Sequence, residues 1–294
     1  MKRVLCIGNA SYDVTLCMDN YPIENKKYRV PERVEGGGGP AASAAYLLGK
    51  WGVETYFAGV VGDDNYGRKI ESELKSANVN TSFLEFDKNN DTTLSFILVN
   101  NSTGSRTVFA NRDSDIKYSL NIDIKPDYIL VDGQEYETSI KIMEACPDAI
   151  SIIDAGRNIP NVVELAKKVD YVVCSREFAE SYTGINIDFS DVESIKNIYS
   201  KMSSDFKNVV ITLEEKGSLY KNGNNIIVMP SIKVSVKDST GAGDYFHGAF
   251  IYCLINGFDM DKTIKISNVT GALSTTKVGA RNSVPSLEEV MKYV

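Results

Sequence analysis

The chain has 294 residues, of which 43% are hydrophobic and 24% charged, enough for a large core in one α/β domain or two modest ones. A formal net charge of -7 argues against a general binder of nucleic acid, since non-specific affinity for phosphate backbones needs a surplus of Lys and Arg. The cysteines, Cys6, Cys17, Cys146, Cys174 and Cys253, are odd in number and scattered without a CxxC pair, which points to reduced thiols rather than a disulfide framework or a zinc site.

The opening Met-Lys-Arg-Val-Leu-Cys-Ile-Gly is too short an apolar stretch for a signal peptide and reads as a first strand over residues 4–7. No apolar run approaches the roughly 18 residues of a membrane span, so no membrane partner is expected and the cytoplasm is the expected location. Residues 13–33 then break the pattern. A glycine run at Gly36 to Gly39 leads into a helix over 40–51, a strand over 55–60 and a helix over 66–76. A second irregular stretch, 81–109, holds alternating segments at 94–100 and 106–110 that look like half-exposed strands. From there strands at 128–131, 151–154, 171–174 and 209–213 alternate with helices at 136–146, 162–168 and 192–202. A strand pair within 218–229 turns at Asn222-Gly223-Asn224. Helices follow at 242–256, 261–275 and 286–292, the last opened by a capping box of Ser286 with Glu289.

This order predicts an α/β fold with three α/β/α layers, a mainly parallel central sheet and right-handed crossovers, in one domain over residues 1–294. The two irregular stretches, about 13–35 and 92–110, are expected to form a small β-sheet lid over a site at the carboxyl ends of the main strands. Surface hairpins without function are the alternative. A lid with an open strand edge would also make a homodimer plausible.

The segment richest in chemistry is Lys237-Asp238-Ser239-Thr240-Gly241-Ala242-Gly243-Asp244-Tyr245-Phe246-His247-Gly248. Its glycines let successive N–H groups point into one concavity where a helix begins, which makes an anion hole. Asp244 falls in the first helical turn, beside any phosphate held there, where a carboxylate can take the proton of an attacking hydroxyl. A bare Gly-x-Gly-Asp turn also serves as an ordinary helix start, so its company decides. His247 reads as a packed helix residue rather than a catalyst.

Residues 238–244 match the D-T-x-G-A-G-D signature of the ribokinase-like (PfkB) carbohydrate kinases except at Ser239. The family's glycine segment, of the form G-G-x-A-x-N before a helix ending near L-G, resembles Gly38-Gly39-Pro40-Ala41-Ala42-Ser43 with Gly49 to Gly52. Further similarity lies in Gly59 to Asp64 with Gly67, Gly104 to Thr107, Thr212-Leu213 through Lys216-Gly217, and Lys277 to Arg281 with Pro285-Ser286. The resemblance covers nearly the whole chain and implies a ribokinase-like fold and an ATP-dependent sugar kinase with a small-molecule acceptor.

Carried over residue by residue, the resemblance makes Asp244 the base within Gly241-Ala242-Gly243 and places Asp13, Gly38, Gly39 and Ser43 on the sugar. Ser43 stands where the family usually has Asn. It places Thr212, Gly217, Asn268 and Ala272 on the adenosine side. Asp238, Thr240 and Gly279 match a loop that holds a monovalent cation, potassium by its oxygen ligands, in many members, and an ordinary hydrogen-bonded loop is the alternative. The family's Asn-x-x-Glu, associated with magnesium, is altered to Ser175-Arg176-Glu177-Phe178, which is similar to the ketohexokinase-like branch and leaves Glu177 to reach the metal through water. Thr-Leu-Gly-Glu becomes Thr212-Leu213-Glu214-Glu215. Arg106 and Arg157 are candidate clamps for substrate or phosphate, and Asp132 a candidate sugar contact.

Competing classes fare worse. There is no G-x-x-x-x-G-K-[ST] for a P-loop kinase, and Gly8-Asn9-Ala10-Ser11-Tyr12-Asp13 lacks the G-x-G-x-x-G of dinucleotide enzymes. A non-catalytic regulatory protein on the same fold would not need Asp244. Among acceptors, Asp132-Gly133 and Asp154 to Arg157 lean toward a hexose or hexose derivative, with a nucleoside (adenosine- or pseudouridine-type) kinase as the alternative.

Overall fold

The computed structural model describes residues 2–111 and 118–294. The first strand, β1 (Arg3–Ile7), leads into a pair, β2 (Ser11–Met18) and β3 (Glu32–Gly38), then helix α1 (Pro40–Lys50). Next come β4 (Glu54–Gly62), α2 (Asn65–Ser76), β5 (Val79–Asp87), β6 (Leu94–Asn100) and β7 (Arg106–Asn111). The middle of the chain alternates strand and helix: β8 (Tyr128–Val131), α3 (Tyr136–Ala145), β9 (Ile150–Ala155), α4 (Pro160–Ala166), β10 (Tyr171–Ser175), α5 (Arg176–Thr183), α6 (Val192–Asp205) and β11 (Val209–Thr212). The hairpin β12 (Ser218–Asn222) and β13 (Asn225–Met229) precedes α7 (Ala242–Ile255), α8 (Met260–Ser274) and α9 (Leu287–Met291).

The larger sheet has the order β13-β12-β11-β10-β9-β8-β1-β4-β5. Its pairings are parallel from β11 to β5, and the β12–β13 hairpin adds an antiparallel edge. Central strands buried on both faces read as unbroken apolar runs, and Val4, Leu5, Cys6 and Ile7 of β1 are all fully buried. Alternate residues face opposite layers. Leu5 and Ile7 join Ile142 of α3, Leu165 of α4, Phe178 of α5 and Ile198 of α6, whereas Val4 and Cys6 join Ala41 of α1, Ile70 of α2, Phe250 of α7 and Ile264 of α8. The expected three-layer arrangement with a mainly parallel sheet is therefore present.

The smaller sheet has the order β3-β2-β6-β7, with β2 and β6 parallel and the outer pairs antiparallel. Both segments expected to leave the main sheet contribute to it, with one correction. Residues 81–87 belong to β5, the edge of the larger sheet. Their alternating burial is what a half-covered edge strand of either sheet shows, so period alone does not assign them. Gly36 to Gly38 are strand residues of β3 rather than a connector, and α5 follows β10 without a break. Among the described residues no helix is long and apolar enough to cross a membrane, and the five cysteines are free thiols.

Phe250 tests the packing of α7 on the sheet. Its ring is fully buried, edge-on to Tyr171 at 5.5 Å and stacked with Phe246 at 6.4 Å. Phe250→Ala should cost about 3–5 kcal/mol of stability, read as a loss in the denaturation midpoint at unchanged m-value.

Candidate active site

The turn before α7 is built as its glycines dictate. Gly241 is the N-cap with φ 81°, a left-handed conformation that a side chain would strain. A Cβ on Gly243 would meet nothing within 4 Å, so space opens beside the turn. Asp238, almost fully buried, ties the approach: one carboxylate oxygen accepts from the Thr240 N–H (2.9 Å) and hydroxyl (2.6 Å), the other from the Gly279 N–H (2.9 Å). The predicted cation trio is thus together, but as a hydrogen-bonded loop whose carboxylate already has three donors. Tyr245 donates to the Ala280 carbonyl at 2.8 Å and fastens the same loop to α7.

Asp244 lies in the first turn of α7. Its carboxyl is raised to about 6, first by burial and then by the charge of Asp154, while His247, Arg106 and Arg281 pull it down. Arg106, on β7, donates to the Ser239 hydroxyl at 2.9 Å, and the Ser239 N–H donates to the Gly104 carbonyl at 3.2 Å. These contacts bring the smaller sheet to the edge of the turn. Arg157 is exposed beyond β9.

Asp13, on β2, accepts from the Ser11 hydroxyl at 2.8 Å. Burial raises its carboxyl, Ser11, Ser95 and Arg281 oppose that, and the charge of Asp244 adds to it, so the two carboxylates sense one another. A Cβ on Gly38 would fall on the Asp13 carboxylate, and Gly39, at φ 91°, leaves no room for one against the Asn9 carbonyl. Ser43 is fully buried within α1, and its hydroxyl has no partner among the described residues. Asp132 sits at the end of β8 and accepts from the N–H groups of Asn9 (2.8 Å), Ala41 (3.3 Å) and Gln134 (3.0 Å). It anchors the loop after β1 and the start of α1.

On the far side of the turn, Thr212 ends β11 and donates to the Cys174 carbonyl at 3.2 Å. Gly217, at φ 101°, lies tight against the Met229 carbonyl. Asn268 of α8 accepts from the Ser218 hydroxyl (2.6 Å) and donates to the Met229 carbonyl (3.1 Å), so its amide ties α8 to the hairpin, with Ala272 one turn further on. Glu214 is left-handed at φ 49°, where the motif it departs from has Gly. Ser175 caps α5, accepting from the Phe178 N–H at 3.0 Å and donating to the Gly156 carbonyl at 2.8 Å, and Glu177 is exposed in that first turn.

Three site neighbours received no role from sequence. Asp154 and His247 meet beneath Asp244, and Arg281 is buried with its Nε 3.4 Å from Glu73 and its guanidinium 4.4 Å from the Tyr46 ring. Both Arg281 Nη atoms are without a hydrogen-bond partner among the described residues. The Gly279-Ala280-Arg281 match was the only signal for the last, and nothing in the spacing of Asp154 and His247 announces their meeting.

A sequence profile of the pfkB family carbohydrate kinases matches residues 1–287. The chain belongs to that family. Among curated proteins it is 26% identical to a ribokinase of Bacillus subtilis (strain 168), over 99% of this chain and 98% of that protein. It is 22% identical to a nucleoside kinase of Methanocaldococcus jannaschii, over 99% and 96%. A structure of Arabidopsis thaliana ribokinase complexed with ribose and ATP superposes with a TM-score of 0.82 at 22% identity, over 99% of this chain and 98% of that one. At that identity the superposition speaks to the fold.

Proposed function

We infer that this pfkB carbohydrate kinase transfers the γ-phosphoryl group of ATP to a hydroxyl of a sugar or sugar derivative, with Asp244 as the base. The observation that carries this reading is the half-buried Asp244 carboxylate in the first turn of α7, directly after the glycine turn, with its carboxyl raised and its charge adding to the raised carboxyl of Asp13. Asp13, with Gly38 leaving room at its carboxylate and Gly39 next in the chain, is assigned to the sugar hydroxyls. The N–H groups of the Gly241–Gly243 turn are assigned to the transferring phosphoryl group and Arg106 to its developing charge. Thr212, Gly217 and Ala272 are assigned to the adenosine side, with Asn268 shaping that wall from behind.

The step is a direct transfer: Asp244 accepts the hydroxyl proton as the oxygen attacks the γ-phosphorus, and ADP leaves. Magnesium, held through water by the exposed Glu177, would neutralise phosphate charge, and an exposed carboxylate at a helix start fits such indirect binding. Potassium fits the Asp238 loop less well, because three donors already occupy that carboxylate. Residues 13–35 and 92–110 are assigned as the lid of a single kinase domain. Phe96 and Phe109 pair across β6 and β7 on the face opposite Asp13 and Ser95, and both are exposed, so we assign that face to a second copy of the chain. With ATP as donor and free thiols throughout, the cytoplasm is the assigned location.

Asp244→Asn should lower kcat by about 10²–10⁴-fold with little change in nucleotide affinity, measured by coupled ADP release over sugars, sugar acids and nucleosides. Unchanged turnover overturns the assignment, and activity on nucleosides alone makes the nucleoside the acceptor.

The raised Asp244 carboxyl also sets a pH dependence. The base works ionised, so kcat/KM should rise as pH increases through about 6 and level above it. For stability the sign is opposite: a carboxyl whose folded pKa is raised favours the protonated fold, so its ionisation costs stability as pH rises above the ordinary carboxylate range. Asp244→Asn should therefore melt at a higher temperature than the wild type at pH 8, and the difference should vanish by about pH 4.

Replacing Phe96 and Phe109 together with Asp should shift sedimentation from dimer to monomer. A wild type that sediments as a monomer removes the pairing.

A further inference from the structure

Beneath the Gly241–Asp244 turn lies a buried polar pair to which direct transfer by Asp244 gives no task. His247 is the one histidine in the sequence and is buried on α7, one turn beyond Gly243. Its Nδ1 is 2.6 Å from the Gly243 carbonyl oxygen and 3.3 Å from Oδ2 of Asp154, and its Nε2 is 3.1 Å from the Val173 carbonyl oxygen. A carbonyl oxygen only accepts, so each contact requires hydrogen on the ring nitrogen that faces it. A neutral imidazole carries one such hydrogen. Both contacts together describe an imidazolium, and a buried cation needs a counter-charge. Asp154, at the end of β9 with its side chain 13% exposed, supplies one.

We propose that His247 and Asp154 form a buried ion pair that positions Asp244. The imidazolium grips the Gly243 carbonyl from one nitrogen and the Val173 carbonyl of β10 from the other, while Asp154 holds the ring from β9. The residue immediately before Asp244 is thereby clamped to two central strands rather than to the helix alone. A charge-assisted bond to that carbonyl is stronger than the neutral bond an ordinary side chain would make. The inference rests on the reading of Asp244 as the base.

The pair also shapes the field at that base. The titratable and charged groups around it are Asp244 and Tyr245 on α7, Asp154 on β9, Asp132 on β8, Cys174 on β10, Arg106 on β7 and Arg281 beyond Gly279. Burial pushes the Asp154 carboxyl up, His247 opposes that push, and Asp132 adds to it. Asp154 in turn acts on Asp244 more strongly than His247 does and in the opposite direction.

The test needs no resonance assignment, because the chain has one histidine. Protein grown with ¹⁵N-histidine should show hydrogen on both ring nitrogens at pH 7, and one bare ring nitrogen overturns the ion pair. With activity as readout, Asp154→Asn should move the acid limb of kcat/KM to lower pH. His247→Phe, which lacks a donor, should lower kcat about tenfold or more, and His247→Asn, which restores one toward Gly243, should recover part of that loss. Variants that melt like the wild type yet leave both the acid limb and kcat unmoved overturn the positioning role. A wild type inactive on every acceptor removes the kinase reading instead, while the labelled spectrum still decides the pair.

Discussion

A half-buried carboxylate at the start of a helix is the constraint around which this molecule is arranged. Asp244 would serve as the proposed base only when ionised, and desolvation alone would hold its proton. The N-terminal end of α7 and the charges of Arg106 and Arg281 favour the ionised form, and Asp154 opposes them. The balance leaves the carboxyl raised to about 6, between what a fully solvated and a fully apolar setting would give. Each contributor comes from a different part of the chain, so the base exists only in the assembled fold.

The parallel sheet makes that assembly possible. Its strands deliver their carboxyl ends to one edge, and Asp132 of β8, Asp154 of β9 and Thr212 of β11 all lie at or just beyond those ends. The polar groups there do different physical work. Asp132 holds backbone N–H groups of the segments that lead to Asp13 and open α1. Asp238 holds the loop before α7. Anchors of this kind cost their side chains the freedom to meet a ligand directly, and in exchange they hold residues such as Gly39 and Gly241 in one left-handed conformation among the many that glycine can adopt.

Much of this was legible from residues alone. The apolar runs of the central strands and the glycine turn before α7 fix their own local geometry, and the order of strands and helices leaves few topologies. What sequence could not carry depended on contacts across long separations. Residues 81–87 read as part of an irregular stretch rather than as the edge of the main sheet, because an edge strand has the same alternation wherever it docks. Asn268 reads as a nucleotide contact by position, yet its amide is used within the protein, since Ser218 and Met229 lie against it. Ser43 sits where a sugar contact is expected, but it lies fully buried within α1. His247 illustrates the same limit: a helical histidine among apolar neighbours is ordinary until the strands bring a carbonyl and a carboxylate to its two nitrogens.

The smaller sheet meets this edge in several places, and two of them differ in kind. At one end β3 runs through Gly38 and Gly39 directly into α1, with the Gly37 N–H donating to Glu73 of α2 at 2.7 Å, so that connection is backbone and buried. At the other end Arg106 of β7 donates to the Ser239 hydroxyl, and the Ser239 N–H donates to the Gly104 carbonyl just before β7. The first tie is stiff and the second is solvent-exposed. Were the smaller sheet to act as the proposed lid, it would part first at Arg106 and keep Asp13 fixed beside the glycines. The geometry thus sets a connection made of buried backbone on the β3 side against one made of an exposed side-chain hydrogen bond on the β7 side.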